Sequence, residues 1–559
     1  METIQTTLQG VIQDVFGLDI KPELTRTDEQ FGDYATNVAM QLAGRLRRAP
    51  REVAEELSVS LRGALGDQAA DITIAGPGFI NITLSDAALG AMATGALSSK
   101  PRDYEGKTVL VEYSDPNPFK PLHAGHLYTT LIGDMIARLV SVAGAQTVRL
   151  NYGGDVGLHV AKSMWAICRD LGGELPEKLA AVPEADRPAW LGANYAAGNT
   201  AYEDDEQAKA EIVAYNKRVY ALHTDDDHDS PFAQIYWTCR QWSYDYFAVL
   251  YDQLQVVPFD RYIPESSVTP LGVRTVQEGL ATGVFEESDG AVIFDGDKFG
   301  LHKRVFINSA GLPTYETKDV GLSLTKWTDY QFDKSIIITA VEQLQYMQVV
   351  IKAIEQIAPE PAQRTTHLTH GVVKLKGGIK MSSRRGNVVT ALDILAAARE
   401  AGAATGTNPD EATILAAVKY AFAKNRIGGD TAYDPVESIA LEGNSGPYLQ
   451  YAHARARSIM GKATATPVEA VTDFDGGERS LARKISEYPD VMAHAVSDLM
   501  PHHICSYLYE LAQTFNRFYE NNQVVGNDRE AVRLRLVSMY ADVLQDGLQL
   551  LGITAPDRM

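Results

Sequence analysis

The chain alternates between short runs of apolar residues and longer stretches in which apolar residues recur every three or four positions. Val109 to Val111 form one such run, and the stretch after it places Leu127, Leu131 and Met135 on one helical face. The segments QTVRLN and IIITA repeat the strand pattern further along, and a helical pattern follows each of them. This alternation is typical of a parallel sheet with helices on both faces. We therefore predict an α/β domain from residue 107 to residue 433.

Two regions with different patterns flank this domain. Residues 1–100 combine amphipathic helices with the strand pattern DITIAGPGFINITL, which predicts a small α+β domain, and KPRDYEG after it is typical of a linker. From residue 434 to residue 559 only helical spacing remains, which predicts an all-α helix bundle. Residues 172 to 230 are acidic and lack a strong apolar period, so we expect a solvated helical insertion there. The predicted fold class is multidomain α/β.

Composition and charge exclude several classes of protein. The 559 residues contain no apolar run of membrane-spanning length and no N-terminal signal pattern, so we expect a cytoplasmic protein without a membrane partner. The three cysteines form no CxxC pair, which argues against structural zinc and against a disulfide framework. A net charge of −21 would disfavour a nucleic-acid partner, so any such contact must use local basic patches.

Two short motifs carry the chemistry that the sequence suggests. His123 and His126 enclose Gly125 in HAGH, at the point where a strand-to-helix loop ends. Unpaired N–H groups and the dipole at a helix N-terminus favour phosphate, and glycine permits close approach, so we predict an anion site with two histidine proton donors. Far downstream, KMSSRR from Lys380 to Arg385 supplies cations. The HxGH pattern alone could also cap a helix or fill a core.

Together these motifs resemble the HIGH and KMSKS signatures with which class I aminoacyl-tRNA synthetases hold ATP. The resemblance narrows to arginyl-tRNA synthetases, because SDPNPFKPLHAGHL, NYGGDVGLHVAK, GLPTYETKDVGL, EGNSGPYLQYAHARA and LLGITAPDRM occur in that family's order. FGDYATNVAMQLA and AGPGFINI are similar to the family's appended N-terminal domain. The resemblance implies a Rossmann-like catalytic domain, a tRNA-binding N-terminal domain and an anticodon-binding helix bundle.

The resemblance also implies an activity and its substrates. The expected protein is an ATP-dependent ligase that converts L-arginine to arginyl-adenylate and transfers it to the 3′-terminal adenosine of tRNA(Arg), with Mg²⁺ accompanying ATP, no zinc, and a monomeric state. The implied catalytic residues are His123, His126, Lys120, Lys380 and Ser382, and Gly125, Lys120 and Met381 are the implied ATP contacts. Ser383 stands where the family signature has a second lysine. We hypothesise that Lys120 supplies the missing charge, although it could also be an ordinary loop lysine.

The amino-acid pocket and the tRNA contacts follow in the same way. A guanidinium is a planar group with five donors and a permanent charge, so carboxylates and aromatic faces should surround it. The implied pocket residues are Glu112, Asn117, Tyr315, Asp319 and Gln343. Tyr315 and Asp319 are four residues apart and would share one face of a helix. The implied tRNA contacts are Tyr448, Tyr451 and Arg455 in the helix bundle, and Phe31 and Asp33 in the N-terminal domain.

Two other functions fit part of the pattern. A nucleotidyltransferase uses a similar HxGH sheet but has no anticodon module, so the helical C-terminal region counts against it. A non-catalytic RNA-binding paralogue would have no need of His123, His126, Lys380 and an acidic pocket. The ligase is therefore the preferred interpretation.

Overall fold

The computed structural model describes residues 2–376, 389–406 and 409–559. The N-terminal region contains a four-stranded antiparallel sheet in the order β1-β2-β4-β3, covered by helices. The predicted strand pattern DITIAGPGFINITL forms its β3–β4 hairpin. The elements of this region are α1 (Glu2–Phe16), β1 (Thr25–Arg26), β2 (Tyr34–Thr36), α2 (Val38–Leu46), α3 (Pro50–Leu65), β3 (Ala69–Ala75), β4 (Phe79–Leu84) and α4 (Asp86–Thr94).

The next region begins with the predicted strand-loop-helix unit. Ser114, Asp115 and Phe119, in the loop between its strand and helix, have positive φ angles of 76°, 46° and 67°, which is uncommon for residues other than glycine. Such strain persists only where the surrounding structure imposes it, and it is concentrated at functional sites. The elements are β5 (Thr108–Glu112), α5 (Ala124–Val142), β6 (Gln146–Gly153) and α6 (Leu158–Asp170).

The acidic stretch is helical, as predicted, but it also has a buried side. Leu191, Ile212, Val219 and Leu222 are buried, while Asp204 and Asp205 face solvent. The helices of this stretch are α7 (Arg187–Asp204) and α8 (Glu206–Thr224), and α9 (Pro231–Gln253) follows it. Helices α7 and α8 pack against α6, so the insertion is attached to the region that contains the central sheet.

The chain then completes the central sheet, whose order is β12-β11-β5-β6-β7 with all four pairings parallel. The α/β prediction for this region is therefore confirmed. The remaining elements up to residue 433 are β7 (Arg261–Pro264), α10 (Glu265–Thr282), β8 (Glu286–Ser288), β9 (Ala291–Phe294), β10 (Arg304–Ile307), α11 (Tyr315–Tyr330), β11 (Lys334–Ala340), α12 (Leu344–Ile357), α13 (Pro359–Gln363), β12 (Thr365–His370), β13 (Val373–Leu375), α14 (Ala391–Ala404), α15 (Glu411–Ala423) and β14 (Thr431–Tyr433).

Two glycines determine where α11 lies. A Cβ atom on Gly272 in α10 would come within 2.1 Å of the Thr317 carbonyl oxygen, and one on Gly321 in α11 would come within 2.2 Å of the Val268 carbonyl oxygen. The two helix backbones therefore pack closer together than any larger residue would allow. This packing places the first turn of α11 beside the carboxyl ends of the central strands.

Among the described residues after β14, the regular elements are all helices, which confirms the predicted bundle. Its helices are α16 (Pro435–Ser438), α17 (Gly446–Met460), α18 (Gly476–Ser486), α19 (Tyr488–Asp498), α20 (His502–Asn521) and α21 (Glu530–Leu550). In the part of the chain that the structure describes, no helix has the length and apolar composition needed to cross a membrane.

Candidate active site

A cavity of about 710 Å³ opens at the carboxyl ends of β5, β6 and β11. This is the edge at which parallel α/β sheets bind their ligands. Residues from widely separated parts of the sequence meet there. The predicted residues that line it are Glu112, Asn117, His123, Gly125, His126, Tyr315, Asp319 and Gln343.

The two motif histidines cap the helix that they begin. His123 is the N-cap of α5, and its Nδ1 accepts hydrogen bonds from the backbone N–H groups of Gly125 at 3.1 Å and His126 at 3.3 Å. The Nδ1 of His126 accepts from the N–H of His123 at 3.4 Å, and the two rings stack with centroids 3.7 Å apart. Because each Nδ1 accepts, the proton of each neutral ring lies on Nε2.

Burial lowers the pKa of His123, and burial together with the adjacent His123 lowers the pKa of His126 well below its ordinary value. Both rings are therefore neutral near pH 7, and each carries one N–H donor on Nε2.

The prediction of free amide donors at this helix N-terminus is wrong. The N–H groups of Gly125 and His126 bind His123, that of Leu127 donates to the His123 carbonyl at 3.1 Å, and that of Ala124 donates to the Val389 carbonyl at 2.8 Å. The donors that remain on the two histidines are the Nε2–H groups of their side chains. Gly125 serves this arrangement, since a Cβ atom there would come within 2.9 Å of the His123 ring.

Lys380, Met381 and Ser382 lie outside the described residues. The described residues resume at Val389, whose carbonyl accepts the hydrogen bond from the Ala124 N–H. The Ala391 N–H donates to the Leu122 carbonyl at 2.9 Å. The chain that follows the lysine-rich motif therefore contacts the histidine motif and the residue before it through Val389 and Ala391.

Lys120 is not among the residues that line the cavity. Its Nζ sits 4.3 Å from the ring centroid of Tyr195 in the insertion helix α7, a cation–π contact. Burial lowers the pKa of Lys120 to about 8. Its charge is close enough to lower the pKa values of His123 and His126. The proposed compensation by Lys120 stays a prediction, and the insertion holds this side chain in place.

The acidic wall of the cavity contains more residues than the sequence indicated. Glu112 is paired with the buried Lys326 at 2.7 Å, and Glu265 is paired with the buried Lys318 at 2.6 Å. Asp319 has no cationic partner among the described residues, although the Tyr346 hydroxyl donates to it. Burial raises the pKa of Asp319 to about 7, since it outweighs that hydrogen bond and the nearby Glu112 adds to it.

Glu265, Lys326, Tyr346 and Asp115 were missed by the sequence reasoning. Glu265 directly follows β7, so the rule that ligands bind beyond strand carboxyl ends would have found it had that short strand been predicted. Asp115 lies inside the quoted motif SDPNPFKPLHAGHL, between two predicted pocket residues. Lys326, which pairs with Glu112, and Tyr346, which lines the cavity, gave no local signal, because tertiary packing alone brings them to these positions.

The predicted RNA contacts of the helix bundle form a stripe on α17. Tyr451 is 46% exposed, and the Tyr448 hydroxyl accepts a hydrogen bond from the Asn516 side chain at 2.9 Å. The Arg455 guanidinium lies 4.6 Å from the ring centroid of Tyr519 on α20. The stripe thus offers an exposed aromatic ring beside a guanidinium that is already stacked.

The two N-terminal RNA contacts have different surroundings. Phe31 is 50% exposed and available to a partner. Asp33 is 1% exposed and pairs with Arg479 at 2.8 Å and Arg483 at 3.2 Å, both on α18 of the helix bundle, while its other contact is the Leu84 N–H. The prediction of a direct RNA contact by Asp33 is corrected accordingly. Its carboxylate oxygens are already paired with the two arginines and with the Leu84 N–H, at the junction between two regions of the protein.

Comparison with known proteins agrees with this geometry. A family model described as "tRNA synthetases class I (R), catalytic domain" matches residues 91–430. The DALR anticodon binding domain matches residues 449–559, and the arginyl tRNA synthetase N terminal domain matches residues 2–84. The first of these covers more than half of the chain.

Full-length relatives give the same result. The arginine–tRNA ligase of Bacteroides fragilis is 28% identical over 601 residues, spanning 100% of this chain and 99% of the relative. That of Flavobacterium psychrophilum is 30% identical over 515 residues, spanning 86% of this chain and 83% of the relative. The arginyl-tRNA synthetase structures from Thermus thermophilus and Plasmodium falciparum share the fold, with TM-scores of 0.79 and 0.80, identities of 24% and 21%, complete coverage of this chain, and coverage of 100% and 99% of theirs. The chain belongs to the arginyl family of class I tRNA synthetases.

Proposed function

We propose that this protein is an arginine:tRNA ligase, which activates L-arginine with ATP and transfers it to the 3′-terminal adenosine of tRNA(Arg). The observation that carries the proposal is that one cavity combines two neutral imidazole donors with an excess of carboxylates. The donors suit a phosphate, and the carboxylates suit a cationic amino acid. Cytoplasmic location and a monomeric state stay predictions from the sequence.

In the first reaction, an oxygen of the arginine carboxylate attacks the α-phosphorus of ATP, and the bond to pyrophosphate breaks. Negative charge builds on the phosphoryl oxygens and on the leaving group, so fixed donors lower the barrier. The Nε2–H groups of His123 and His126 fit this role because their Nδ1 atoms are already held by the backbone. Both donors are therefore oriented before ATP binds.

Other residues of the proposed ATP site rest on the family resemblance. Lys380 would meet the departing pyrophosphate, with Ser382 and Met381 beside it, and Lys120 would add charge near the histidines. The structural support for these roles is the hydrogen bond from the Ala124 N–H to the Val389 carbonyl, because Val389 follows that motif in the chain and Ala124 lies next to His123. Mg²⁺ would arrive with ATP, since this ion in nucleotide sites is held largely by phosphates and water.

The guanidinium of arginine is proposed to meet Asp319, beside Tyr315 on the first turn of α11. Asp319 is the carboxylate that burial and packing leave without a cation among the described residues, and a charge-assisted hydrogen bond would supply one. Glu112 is already neutralised by Lys326, so its proposed contact is a hydrogen bond to the ligand rather than its main counter-charge. Asn117 and Gln343 complete the lining.

In the second reaction, a hydroxyl of the terminal adenosine of tRNA attacks the arginyl carbonyl, and AMP leaves. Tyr448, Tyr451 and Arg455 would stack on unpaired anticodon bases, the usual mode of single-stranded RNA recognition. Phe31 offers a second exposed ring, on the N-terminal region. A nucleotidyltransferase would have no use for the first of these surfaces.

The deciding experiment is pyrophosphate exchange with each of the twenty amino acids, with and without tRNA. We expect exchange with arginine alone. Exchange with lysine but not arginine would overturn the substrate assignment, and exchange with no amino acid would favour an RNA-binding paralogue. His126→Ala should slow the exchange by about a hundredfold or more, because a lost transition-state donor costs about 2.7–4 kcal/mol. His228→Ala, on the exposed insertion, is the matched control.

The role of Lys120 has its own measurement. If its ammonium supplies the charge that Ser383 does not, Lys120→Ala will slow arginine-dependent exchange by about tenfold or more. A decrease of less than about threefold would show that Lys120 is an ordinary loop residue.

A further inference from the structure

The loop that precedes the histidine motif is held by helices that lie outside the central sheet. The Phe119 side chain is buried in an apolar cluster to which α7 contributes, and its N–H donates to the Ser243 hydroxyl of α9 at 2.9 Å. Pro121 lies against the insertion, since a Cβ atom on Gly192 of α7 would be 3.3 Å from its ring. Helices α7 and α9 therefore hold the two residues that flank Lys120.

The charged group of Lys120 has a single kind of contact in the described part of the chain. Its Nζ lies 4.3 Å from the ring centroid of Tyr195, and it has neither a hydrogen bond nor an ion pair there. Tyr195 follows Gly192 by three residues, so both lie on the face of α7 that meets the loop. The quadrupole of an aromatic ring attracts an ammonium over its face, and the attraction is stronger where water is excluded. The insertion thus supplies the group that fixes this cation.

Lys120 is surrounded by ionisable groups of the candidate active site. Burial lowers its pKa to about 8, although the carboxylate of Glu265 opposes that shift. Its own charge adds to the effect of burial in lowering the pKa values of His123, His126 and His159. Glu265 and the first two histidines line the cavity. An interaction that favours the ammonium form therefore sets how much charge Lys120 supplies near pH 8.

We propose that Tyr195 is a positioning residue of the active site, whose ring holds the Lys120 ammonium in place and in its charged form beside the histidine motif. This inference rests on the proposed function, in which Lys120 supplies the charge that Ser383 does not. It assigns the acidic insertion a part in catalysis, because α7 acts on ATP activation through Lys120 and contacts no substrate itself.

The test is a double-variant cycle in the full-length protein. Pyrophosphate exchange is measured for Tyr195→Leu, for Lys120→Ala and for the combined variant. We expect Tyr195→Leu to lower kcat/KM for ATP by about three- to thirtyfold, the range of a cation–π contact removed from water. When Lys120 is already alanine, Tyr195→Leu should lower kcat/KM by less than about twofold, because the cation that the ring holds is absent.

Two further variants separate positioning from folding. Tyr195→Phe keeps the aromatic face, so its kcat/KM should stay within about twofold of the wild-type value. Tyr202→Leu is the matched control: Tyr202 lies on the same helix, and its ring is 4.1 Å from Lys162, which has no proposed part in catalysis. This control should also stay within about twofold. Calorimetry should give the same affinity for L-arginine in Tyr195→Leu as in the wild type, since the cavity keeps its shape.

The pH profile gives a readout that a structural role would not change. Lys120 acts when it is protonated, so kcat/KM for ATP should fall as pH rises through about 8. Tyr195→Leu removes an interaction that favours the ammonium form, so this fall should move to lower pH. Tyr195→Phe should keep the wild-type profile, and Lys120→Ala should lose this part of it.

Three results would overturn the inference in different ways. An equal loss from Tyr195→Leu with and without Lys120, or no loss at all, would show that Tyr195 does not act through Lys120. A decrease of less than about threefold in Lys120→Ala would remove the proposed role of Lys120, and that of Tyr195 with it. Exchange by the wild-type protein with no amino acid would contradict the ligase function itself, on which this inference depends.

Discussion

Carboxylates at the domain junction and carboxylates in the cavity are buried or half-buried by the same fold but differ in their cationic partners. At the junction, Asp33 has two arginine partners from α18. The neighbouring Asp490 has Arg26 at 3.0 Å. In the cavity, Asp319 has a tyrosine hydroxyl and no cationic partner among the described residues. The first group is neutralised within the protein, and we propose that a cationic ligand neutralises the second.

This difference separates carboxylates that stabilise the fold from carboxylates that are able to bind a cation. A buried ion is tolerated only when it is paired and hydrogen-bonded, so a pair completed within the chain contributes to holding two regions together. A buried ion left without a partner raises the free energy of the empty protein, and a cation that binds there recovers it. Residue type does not distinguish the two groups, whereas the cations that each carboxylate contacts do.

The largest expected effect is at the junction. Asp33→Ala leaves Arg479 and Arg483 without their shared partner and removes the acceptor of the Leu84 N–H. We expect the free energy of unfolding to fall by about 3–5 kcal/mol, the usual cost of removing one member of a buried pair. Denaturant unfolding measures it. Unchanged stability with weakened tRNA binding would restore the direct RNA contact that the structure argues against.

Removing a carboxylate charge from the cavity should weaken ligand binding and leave the free energy of unfolding unreduced. Asp319→Asn is expected to weaken L-arginine binding by about 10- to 150-fold, because a hydrogen bond to a charged group contributes about 1.5–3 kcal/mol. The free energy of unfolding of the unligated protein should stay equal or rise at pH 8, since the variant removes an unpaired ionised group. Loss of stability there would show that Asp319 is a structural residue like Asp33.

The binding of arginine should also depend on pH. Burial raises the pKa of Asp319 to about 7, and the ionised form is the one that binds a guanidinium. As pH falls below 7 the protonated fraction grows, so affinity should drop by up to about tenfold per pH unit, while the guanidinium itself stays charged. Calorimetry between pH 8 and pH 6 measures the slope. In Asp319→Asn the slope should become smaller, and an unchanged slope would assign the titration to another group.

The smallest effect is expected at an exposed pair. Arg51 and Glu55 lie 3.5 Å apart on α3, and both side chains are more than half exposed. Glu55→Ala should change the free energy of unfolding by less than about 0.5 kcal/mol, because water already solvates both charges. Denaturant unfolding of Glu55→Ala and Asp33→Ala under the same conditions compares the two losses in the free energy of unfolding. A loss as large as that of Asp33→Ala would mean that burial does not explain why the junction pair is more costly to remove than this exposed pair.

Local pattern was enough for the elements that carry the site. Apolar spacing placed His123 and His126 at the start of a helix that follows a strand, and a spacing of four placed Tyr315 and Asp319 on one helical face. Local pattern failed where partners come from distant segments. The use of His123 as the cap of its own helix, the neutralisation of Glu112 by Lys326, and the burial of Asp33 against α18 all depend on contacts that no periodicity encodes.

The sequence by itself determined which elements form, since hydrophobic spacing and turn residues act over a few positions, and it determined the family through motifs that span the chain. Tertiary structure alone decided which of the acidic residues are free to bind a ligand. The reason is physical: the charge that a carboxylate presents depends on the cations and donors packed within a few ångströms of it, and in this protein those groups come from residues tens to hundreds of positions away.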